Sequence, residues 1–365
     1  MRHTMLKYEP PTMQEVYDSE NKELFTVVSL FAGAGGSSTG YRLAGGRVLA
    51  INEFVQEARD TYRANYKNTY IFNNDIRELT GKKILDICQL KKGELDILDG
   101  SPPCAAFSFS GKRKRSFGKI KLYSNKSQRV DDLFFEYARL VKELQPKIFI
   151  AENVKGLSLG KVKTLLVNNQ LDMFKDSEPT IVETLSQCGY NVDYKVLNAA
   201  DYGVPQRRER LFIIGIRKDL NLQPSFPKRL VNQEVTLEVA FQNMEEGFRP
   251  LYEEDTNDIT KYFSQLKEWQ LVSALHPKKI GHSYRRLARA KASSTICQAS
   301  NRHYIHYDGG KFLSIEEVKR IFSFPDDFIL TGSYNQQWER LGRSVPPLLM
   351  KAVAEHLYNT ILRVS

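Results

Sequence analysis

The chain has little cysteine and no long apolar run. Its 365 residues include only Cys88, Cys104, Cys188 and Cys297, which lie far apart and form no C-x-x-C pair. That spacing argues against a disulfide scaffold or a zinc knuckle and indicates a reducing compartment. No stretch of about 18 apolar residues occurs, which excludes a helical membrane span. The first 20 residues hold no apolar segment of the kind a signal peptide needs, so we expect a cytoplasmic protein.

Acidic residues are absent from two long stretches. The chain carries 53 Lys+Arg against 43 Asp+Glu, a formal charge of +10. Residues 111–129 contain eight Lys or Arg and no acid, and residues 277–302 contain seven and no acid. One such stretch is explained as well by a solvated loop. Two such acid-free basic stretches in one chain favour a surface that binds a polyanion.

Seven short segments rich in Val, Ile and Phe alternate with helix-like segments. They span residues 25–31, 47–53, 69–73, 95–99, 147–152, 191–197 and 211–217. Their nearly continuous apolar character is typical of strands buried on both faces. A helical pattern over 130–144 is stopped by Pro146. The alternation predicts an α/β fold around a mostly parallel sheet.

The alternation of strands and helices fails after about residue 218. We therefore predict an N-terminal extension over 1–24, a main domain over 25–217, a small region over 218–284 and a C-terminal part over 285–365. Helical patterns are expected near 259–275 and, in an amphipathic final helix, over 346–362.

Five successive predicted strands each have a distinctive feature at or just after their carboxyl end: a glycine loop, an acidic residue or a cysteine. They are the loop 31–36, Glu53, Asp75, Cys104 and Glu152. Ligands of open α/β sheets bind outside the carboxyl ends of the strands, so these residues predict one site. The glycine turn admits close backbone approach, and an acid after the second strand suits ribose hydroxyls. The spacing F-x-G-x-G-G differs from G-x-G-x-x-G, which favours an adenosyl cofactor without a pyrophosphate.

Cys104 and the charged residues beyond it carry the chemistry. Cys104 follows Pro102 and Pro103, which stiffen its loop. A lone cysteine is often a small buried hydrophobe, but this position favours a thiolate nucleophile. Glu152 ends an apolar strand, where a carboxylate is costly without a role or partner. The segment 206–210 is either a charged strand entry or part of the site. The H-x-x-H pair at 303 and 306 has no further ligand nearby, so we predict no metal.

In this order the motifs resemble those of the cytosine-C5 DNA methyltransferases of bacterial or phage restriction-modification systems, over about residues 26–362. The matching segments are 31–36, Pro103-Cys104-x-x-Phe107-Ser108, Glu152-Asn153-Val154, 206–210, 294–296, Phe324-Pro325-Asp326 and 342–347. The resemblance implies a Rossmann-like, class I S-adenosylmethionine-dependent fold with its target-recognition region in residues 218–284. Two features depart from the family: Arg343 stands where its members have Asn, and the recognition region is short.

The resemblance also implies a role for each site residue. Cys104 would attack C6 of a flipped-out cytosine, and Glu152, Arg210 and secondarily Arg208 would hold the base. The cofactor, released as S-adenosylhomocysteine, would contact Phe31, Ala32, Gly33, Ala34, Gly35, Gly36, Glu53, Phe54, Asp75, Ile76, Pro103, Ser344 and Val345. Double-stranded DNA would contact Ser108, Lys112, Arg113, Lys114, Arg115, Gln206, Arg286 and Arg343, with 111–129 as a loop that closes over DNA.

Three other functions fit parts of the pattern. A tRNA cytosine-C5 methyltransferase would share the architecture, although the basic residues near 285–302 favour DNA. A Rossmann oxidoreductase would need a pyrophosphate fingerprint and would leave Cys104 unused. A non-catalytic DNA-binding protein would not need both Cys104 and Glu152. We expect a monomer that associates with the nucleoid through DNA, with a cognate restriction endonuclease as a possible partner.

Overall fold

The computed structural model describes residues 8–102, 120–123, 126–129, 133–154, 181–244, 260–281, 283–298, 303–309 and 311–365. Seven of the predicted site residues lie outside these ranges: Pro103, Cys104, Ser108, Lys112, Arg113, Lys114 and Arg115.

All seven predicted strands form, with ends shifted by at most two residues. The strands are β1 (Phe25–Leu30), β2 (Gly46–Asn52), β3 (Tyr70–Phe72), β4 (Ile97–Gly100), β5 (Ile120–Tyr123), β6 (Lys126–Arg129), β7 (Ile148–Val154), β8 (Tyr190–Asn198), β9 (Glu209–Arg217), β10 (Arg285–Arg286) and β11 (Tyr304–Ile305). The pairs β5–β6 and β10–β11 stand apart from the main sheet.

The main sheet has seven strands in the order β3-β2-β1-β4-β7-β9-β8. Strands β3, β2, β1, β4 and β7 are parallel to one another, and β9 runs antiparallel to both β7 and β8. The order reverses between β1 and β4, because β2 follows β1 on one side and β7 lies beyond β4 on the other. A crevice opens outside the carboxyl ends of strands at such a point.

Helices cover both faces of the sheet. They are α1 (Met13–Glu20), α2 (Gly36–Leu43), α3 (Gln56–Asn65), α4 (Gly81–Cys88), α5 (Leu133–Leu144), α6 (Ile181–Ser186), α7 (Leu237–Ala240), α8 (Ile315–Ile321), α9 (Tyr334–Arg343) and α10 (Pro347–Leu357). The predicted final helix is α10, continued by a π-helical turn over Tyr358–Leu362. No helix in the described part of the chain is both long and apolar enough to cross a membrane.

Alternate residues of the strands enter two different apolar cores. Val27, Ile97 and Ile214 pack in the core that α2 and α10 cover, whereas Val28 and Leu98 pack in the core of α4 and α5. Both faces are therefore buried, which is why the strands read as continuous apolar runs.

The return of α10 to the sheet depends on one glycine. A Cβ added at Gly40 of α2 would lie 2.6 Å from the Met350 Cβ and 2.6 Å from the Pro347 carbonyl oxygen. Only a residue without a side chain lets α10 approach α2 this closely. The helix that begins at Pro347 thereby fixes the segment just before it, residues 342–346, over the start of α2.

A third, small core lies outside the main sheet. It joins Phe263, Leu266 and Val272 to Ile305 and Phe312, and so crosses the boundary predicted at residue 284. The helical pattern near 259–275 forms the 3₁₀ turns Thr260–Gln265 and Val272–Ala274, not a continuous helix. Pairing of Leu271 with Arg285 prevents a longer helix, because it draws the chain toward β10.

Candidate active site

A cavity of about 550 Å³ opens at the crevice between β1 and β4. It brings together residues from the glycine loop, β2, β4, β7, β9 and the segment before α10. The predicted residues that line it are Phe31, Ala32, Gly33, Gly36, Glu53, Phe54, Ile76, Glu152, Arg208, Arg210, Arg343, Ser344 and Val345. This volume lies within the range of small-molecule sites.

The glycine loop is held by the carboxylate of Glu53. Phe31, Gly33 and Gly35 all have positive φ values, of 57°, 56° and 93°. The main-chain N–H of Gly33 donates to Glu53 Oε2 at 2.8 Å, and that of Val55 donates to Oε1 at 2.7 Å. Burial raises the pKa of Glu53, and these two hydrogen bonds and the charge of Arg343 oppose the rise. The carboxylate therefore fixes the loop and still borders the cavity.

The segment before α10 lies against the start of α2. A Cβ added at Gly36 would lie 2.3 Å from the Val345 carbonyl oxygen and 3.0 Å from the Ser344 Cβ. The Ser344 hydroxyl donates to the Arg340 carbonyl oxygen at 2.8 Å. Residues 344 and 345, about 300 positions from the glycine loop in sequence, thus form one wall of the same cavity.

Three residues predicted to contact the cofactor follow β2 and β3, and two of them line the cavity. Phe54 and Ile76 are part of the lining. The carboxylate of Asp75 accepts the Arg77 main-chain N–H at 3.1 Å and pairs with the Arg77 guanidinium at 2.9 Å. Asp75 thereby starts the 3₁₀ turn Ile76–Glu78 and positions Ile76. Ala34 and Gly35 shape the glycine loop behind the lining.

Glu152 and Arg210 form a buried ion pair at the other end of the cavity. Arg210 Nε lies 3.0 Å from Glu152 Oε1, and the side chains are 12% and 8% exposed. Burial lowers the pKa of Arg210, and the charge of Glu152 opposes this. Each side chain supplies the counter-charge without which the other would be costly to bury. The pair presents a carboxylate and a guanidinium edge to one ligand.

Asn153 links this end of the cavity to the segment before Cys104. Its side-chain amide donates to the Pro102 carbonyl oxygen at 2.9 Å. The motif Glu152-Asn153-Val154 therefore has two separate tasks: Glu152 faces the cavity, and Asn153 anchors residue 102. Asn153 belongs to the predicted motif, but no role was predicted for it.

Arg208 and Gln206 are interior residues. Arg208 is 1% exposed, and its guanidinium donates to the carbonyl oxygens of Ile296 and Gly342 at 2.8 Å each. Burial lowers its pKa well below the ordinary value. Gln206 is fully buried and accepts the Ile296 N–H at 3.1 Å. Both tie β9 to the segment 293–298, which contains the predicted motif 294–296.

Of the four arginines predicted to contact DNA, the two that the structure describes, Arg286 and Arg343, both bind protein groups. Arg286 donates to the carbonyl oxygens of Tyr307 and Leu266. Arg343 lines the cavity, donates from Nε to Gln298 Oε1 at 2.5 Å and pairs with Glu339 of the same helix. The Arg343 side chain remains 37% exposed, at the rim of the cavity.

Asp99 is a cavity residue that the sequence analysis did not single out. It is 2% exposed and accepts hydrogen bonds from the Ser29 hydroxyl at 2.7 Å and the Tyr41 hydroxyl at 3.1 Å. Burial raises its pKa to about 7, despite these two hydrogen bonds. The signal available in the sequence was a second acid in LDILD, at the end of an apolar strand.

No group of three His, Cys, Asp or Glu among the described residues is arranged to hold a metal ion.

Comparison with known proteins gives one consistent family. Residues 25–359 match the family model described as C-5 cytosine-specific DNA methylase. The chain is 32% identical to the type II methyltransferase M1.HphI of Haemophilus parahaemolyticus, over 90% of this chain and 86% of that protein. It is 29% identical to M.NgoPII of Neisseria gonorrhoeae, over 92% and 96%.

Solved structures share the fold. A protein described as a DNA modification methyltransferase encoded within an E. coli prophage superposes with a TM-score of 0.71 at 21% identity, covering 92% of this chain and 99% of its own. The Dnmt2 methyltransferase of S. pombe superposes with a TM-score of 0.60 at 15% identity, covering 93% and 99%.

Proposed function

We propose a role for each side chain of this cavity from the premise that the chain belongs to the C-5 cytosine-specific DNA methylases. The protein is a DNA (cytosine-5-)-methyltransferase with the Rossmann-like fold of the S-adenosylmethionine-dependent enzymes. S-adenosylmethionine supplies an electrophilic methyl group and is released as S-adenosylhomocysteine. The observation that carries the assignment of roles is the position of Glu53 and the Glu152–Arg210 pair at opposite ends of one cavity.

The residues at the β2 end fit the adenosyl part of the cofactor. The Glu53 carboxylate borders the cavity and suits the ribose hydroxyls. Phe54 and Ile76 give apolar contact to the adenine, with Asp75 holding Ile76 in place. The glycine loop 31–36 admits close approach of the backbone, and Ser344 and Val345 close the opposite wall.

The β7 end holds the target base. Cys104 adds through its thiolate to C6, and the electron pair of the C5–C6 double bond makes C5 nucleophilic toward the methyl group. A proton shared between the Glu152 carboxyl group and N3 and a hydrogen bond from Arg210 to O2 stabilise the negative charge that develops on the ring. Glu152 also accepts a hydrogen bond from the exocyclic amine. The C5 proton then leaves to a base and the thiolate is eliminated. Arg208 and Gln206 act as positioning residues, since both contact main-chain groups.

DNA binds over the carboxyl edge of the sheet. The target cytosine must leave the duplex, at a cost of about a few kcal/mol, to reach C6. Residues 112–115, with Ser108, bind phosphates beside the nucleophile segment. A surface cleft of about 430 Å³ contains Arg207, Arg229 and Lys291 and offers further basic groups to DNA. Arg286 acts as a positioning residue, since it donates to the carbonyl oxygen of Tyr307.

Covalent trapping tests the assignment of the nucleophile. Labelled S-adenosylmethionine should methylate duplex DNA in preference to tRNA, and Cys104→Ser should abolish transfer while retaining DNA binding. Duplex with 5-fluorocytosine at the target should trap the wild type, because no proton can leave C5. Turnover by the serine variant near the wild-type rate, or trapping through another residue, would overturn the assignment.

Salt dependence tests the basic loop and Arg343. Neutralising Lys112, Arg113, Lys114 and Arg115 should weaken binding to all sequences and flatten log affinity against log salt by about one unit for each phosphate that the loop no longer neutralises. If Arg343 binds a phosphate that flanks the target base, Arg343→Ala should also reduce the slope of log DNA affinity against log salt and leave cofactor affinity unchanged. Weaker cofactor binding with an unchanged salt slope would place Arg343 in the cofactor site.

We also infer, from the names of the type II relatives, that the methyltransferase protects DNA from a cognate endonuclease. That the protein acts as a monomer stays a prediction. Bisulfite sequencing of DNA modified in cells would give the recognition sequence. Light scattering of the purified protein, alone and with DNA, would give its oligomeric state.

A further inference from the structure

Asp99 is a buried acid without a cationic partner among the described residues. Its carboxylate is bound by neutral donors only, the hydroxyls of Ser29 and Tyr41 and the main chain of Gly100, and it forms no ion pair there. The charge that acts on it from β7 is a second carboxylate, Glu152, and from α5 it faces the Tyr137 hydroxyl. An ionised carboxylate in such surroundings lacks a counter-ion.

The arginines of the cavity are held by other groups. Arg208 donates to main-chain carbonyls, Arg210 pairs with Glu152, and Arg343 pairs with Glu339. Arg340 donates to the carbonyl oxygen of Thr331. None of these contacts brings a guanidinium to Asp99, so the described chain leaves its charge uncompensated.

Asp99 lies midway between the two ends of the cavity. Ser29 and Asp99 are paired in the register of β1 and β4, and both line the cavity. The sheet order places β1 and β4 between β2, which leads to Glu53, and β7, which carries Glu152. On the proposed function, the adenosyl part lies at Glu53 and the target base at Glu152. The cofactor's sulfur must lie between them, over the ends of β1 and β4.

We propose that Asp99 is the counter-ion of the cationic methionyl end of S-adenosylmethionine. That end carries a positive sulfonium and a positive α-ammonium group, and either satisfies a buried carboxylate. This inference rests on the cofactor site proposed above. Asp99 acts as a positioning residue: it fixes the charged end of the cofactor and does not touch the target base.

Cofactor binding then displaces a proton from Asp99. Since burial raises the pKa of Asp99 to about 7, the carboxyl of the empty cavity holds its proton below that pH. Binding of the cation favours the ionised form, so the proton leaves to solvent. Cofactor affinity should therefore rise about tenfold per pH unit up to about pH 7 and level off above it.

Calorimetric titration of the DNA-free enzyme with S-adenosylmethionine, from pH 5.5 to 8.5, tests this pH dependence. We expect the slope of log affinity against pH to show a break near pH 7 in the wild type. In buffers of different ionisation enthalpy at pH 6.5, the wild type should also release a proton on binding. Asp99→Asn should lose the break and the proton release, and should bind about tenfold or more weakly above pH 7.5. Titration of the cofactor's own amine is common to both proteins and cancels in the comparison.

Two further variants keep the test decisive. Tyr41→Phe removes the 3.1 Å hydroxyl bond that stabilises the ionised carboxyl, so the break should move to higher pH with Asp99 intact. Glu317→Gln is the matched control, because burial also raises the pKa of Glu317 to about 7 but Glu317 lies outside the cavity. Its pH profile of cofactor affinity should match the wild type.

Binding of the product, S-adenosylhomocysteine, identifies which of the two cationic groups Asp99 contacts. Equal losses of affinity for S-adenosylmethionine and S-adenosylhomocysteine in Asp99→Asn would assign the α-ammonium, which both carry, and a loss confined to S-adenosylmethionine would assign the sulfonium. A wild type without a break near pH 7, or an Asp99→Asn variant with wild-type affinity and slope, would overturn the role of Asp99. No binding by the wild type at any pH would instead overturn the proposed cofactor site.

Discussion

Replacing Arg208 with methionine should destabilise the whole site, because Arg208 joins three segments of the chain. Its guanidinium links the entry to β9 with Ile296 and Gly342, through two hydrogen bonds of 2.8 Å. Methionine fills a similar volume but leaves both carbonyl oxygens without this donor. Each unsatisfied buried carbonyl costs about 1–3 kcal/mol. Relief from burying a guanidinium offsets part of this, so we expect a net loss of about 2–4 kcal/mol.

Urea denaturation followed by tryptophan fluorescence measures this loss. Trp338 is fully buried and donates from its indole to the Cys297 carbonyl oxygen at 3.0 Å, next to Ile296. It therefore reports on the segment that Arg208 holds. Arg207→Met is the matched control: the Arg207 side chain is 48% exposed and pairs with Glu234, so its loss should cost about 0–1 kcal/mol. Arg208→Met within about 0.5 kcal/mol of the wild type, or equal losses in both variants, would refute this reasoning.

Glu152→Gln should slow methyl transfer to duplex DNA by about 10²–10³-fold with DNA affinity retained, as labelled-methyl and gel-shift assays measure. Gly36→Ala should weaken cofactor binding by crowding Val345, and calorimetry against Gly33→Ala, whose Cβ meets nothing within 4 Å, separates crowding from backbone strain. Raising the pH from about 4 to 7 should destabilise the unliganded wild type, relative to Asp99→Asn, by up to about 4 kcal/mol in urea melts, because folding raises the Asp99 pKa from 3.8 to about 7. Equal pH profiles for those two proteins would contradict it.

The sheet and the edge at which the site lies were predictable from the sequence alone. A strand buried on both faces must be apolar at nearly every position, so each of the seven strands stood out as a short continuous run. Parallel strands bring their carboxyl ends to one edge, which placed Glu53 and Glu152 at one cavity before any contact was known. Segments with weaker periodicity were less predictable: the pattern near 259–275 became two 3₁₀ turns because β10 competes for its backbone.

The role of each polar side chain, by contrast, depends on how distant segments of the chain pack together. Arg208 and Arg210 are two residues apart and alike in sequence, yet one binds main-chain carbonyls and the other binds Glu152. Asp99 reads as an ordinary strand residue until β1 brings Ser29 beside it and α2 brings Tyr41, from 70 and 58 positions away. A carboxyl group's charge depends on the partners and burial that packing supplies, and those come from distant parts of the chain.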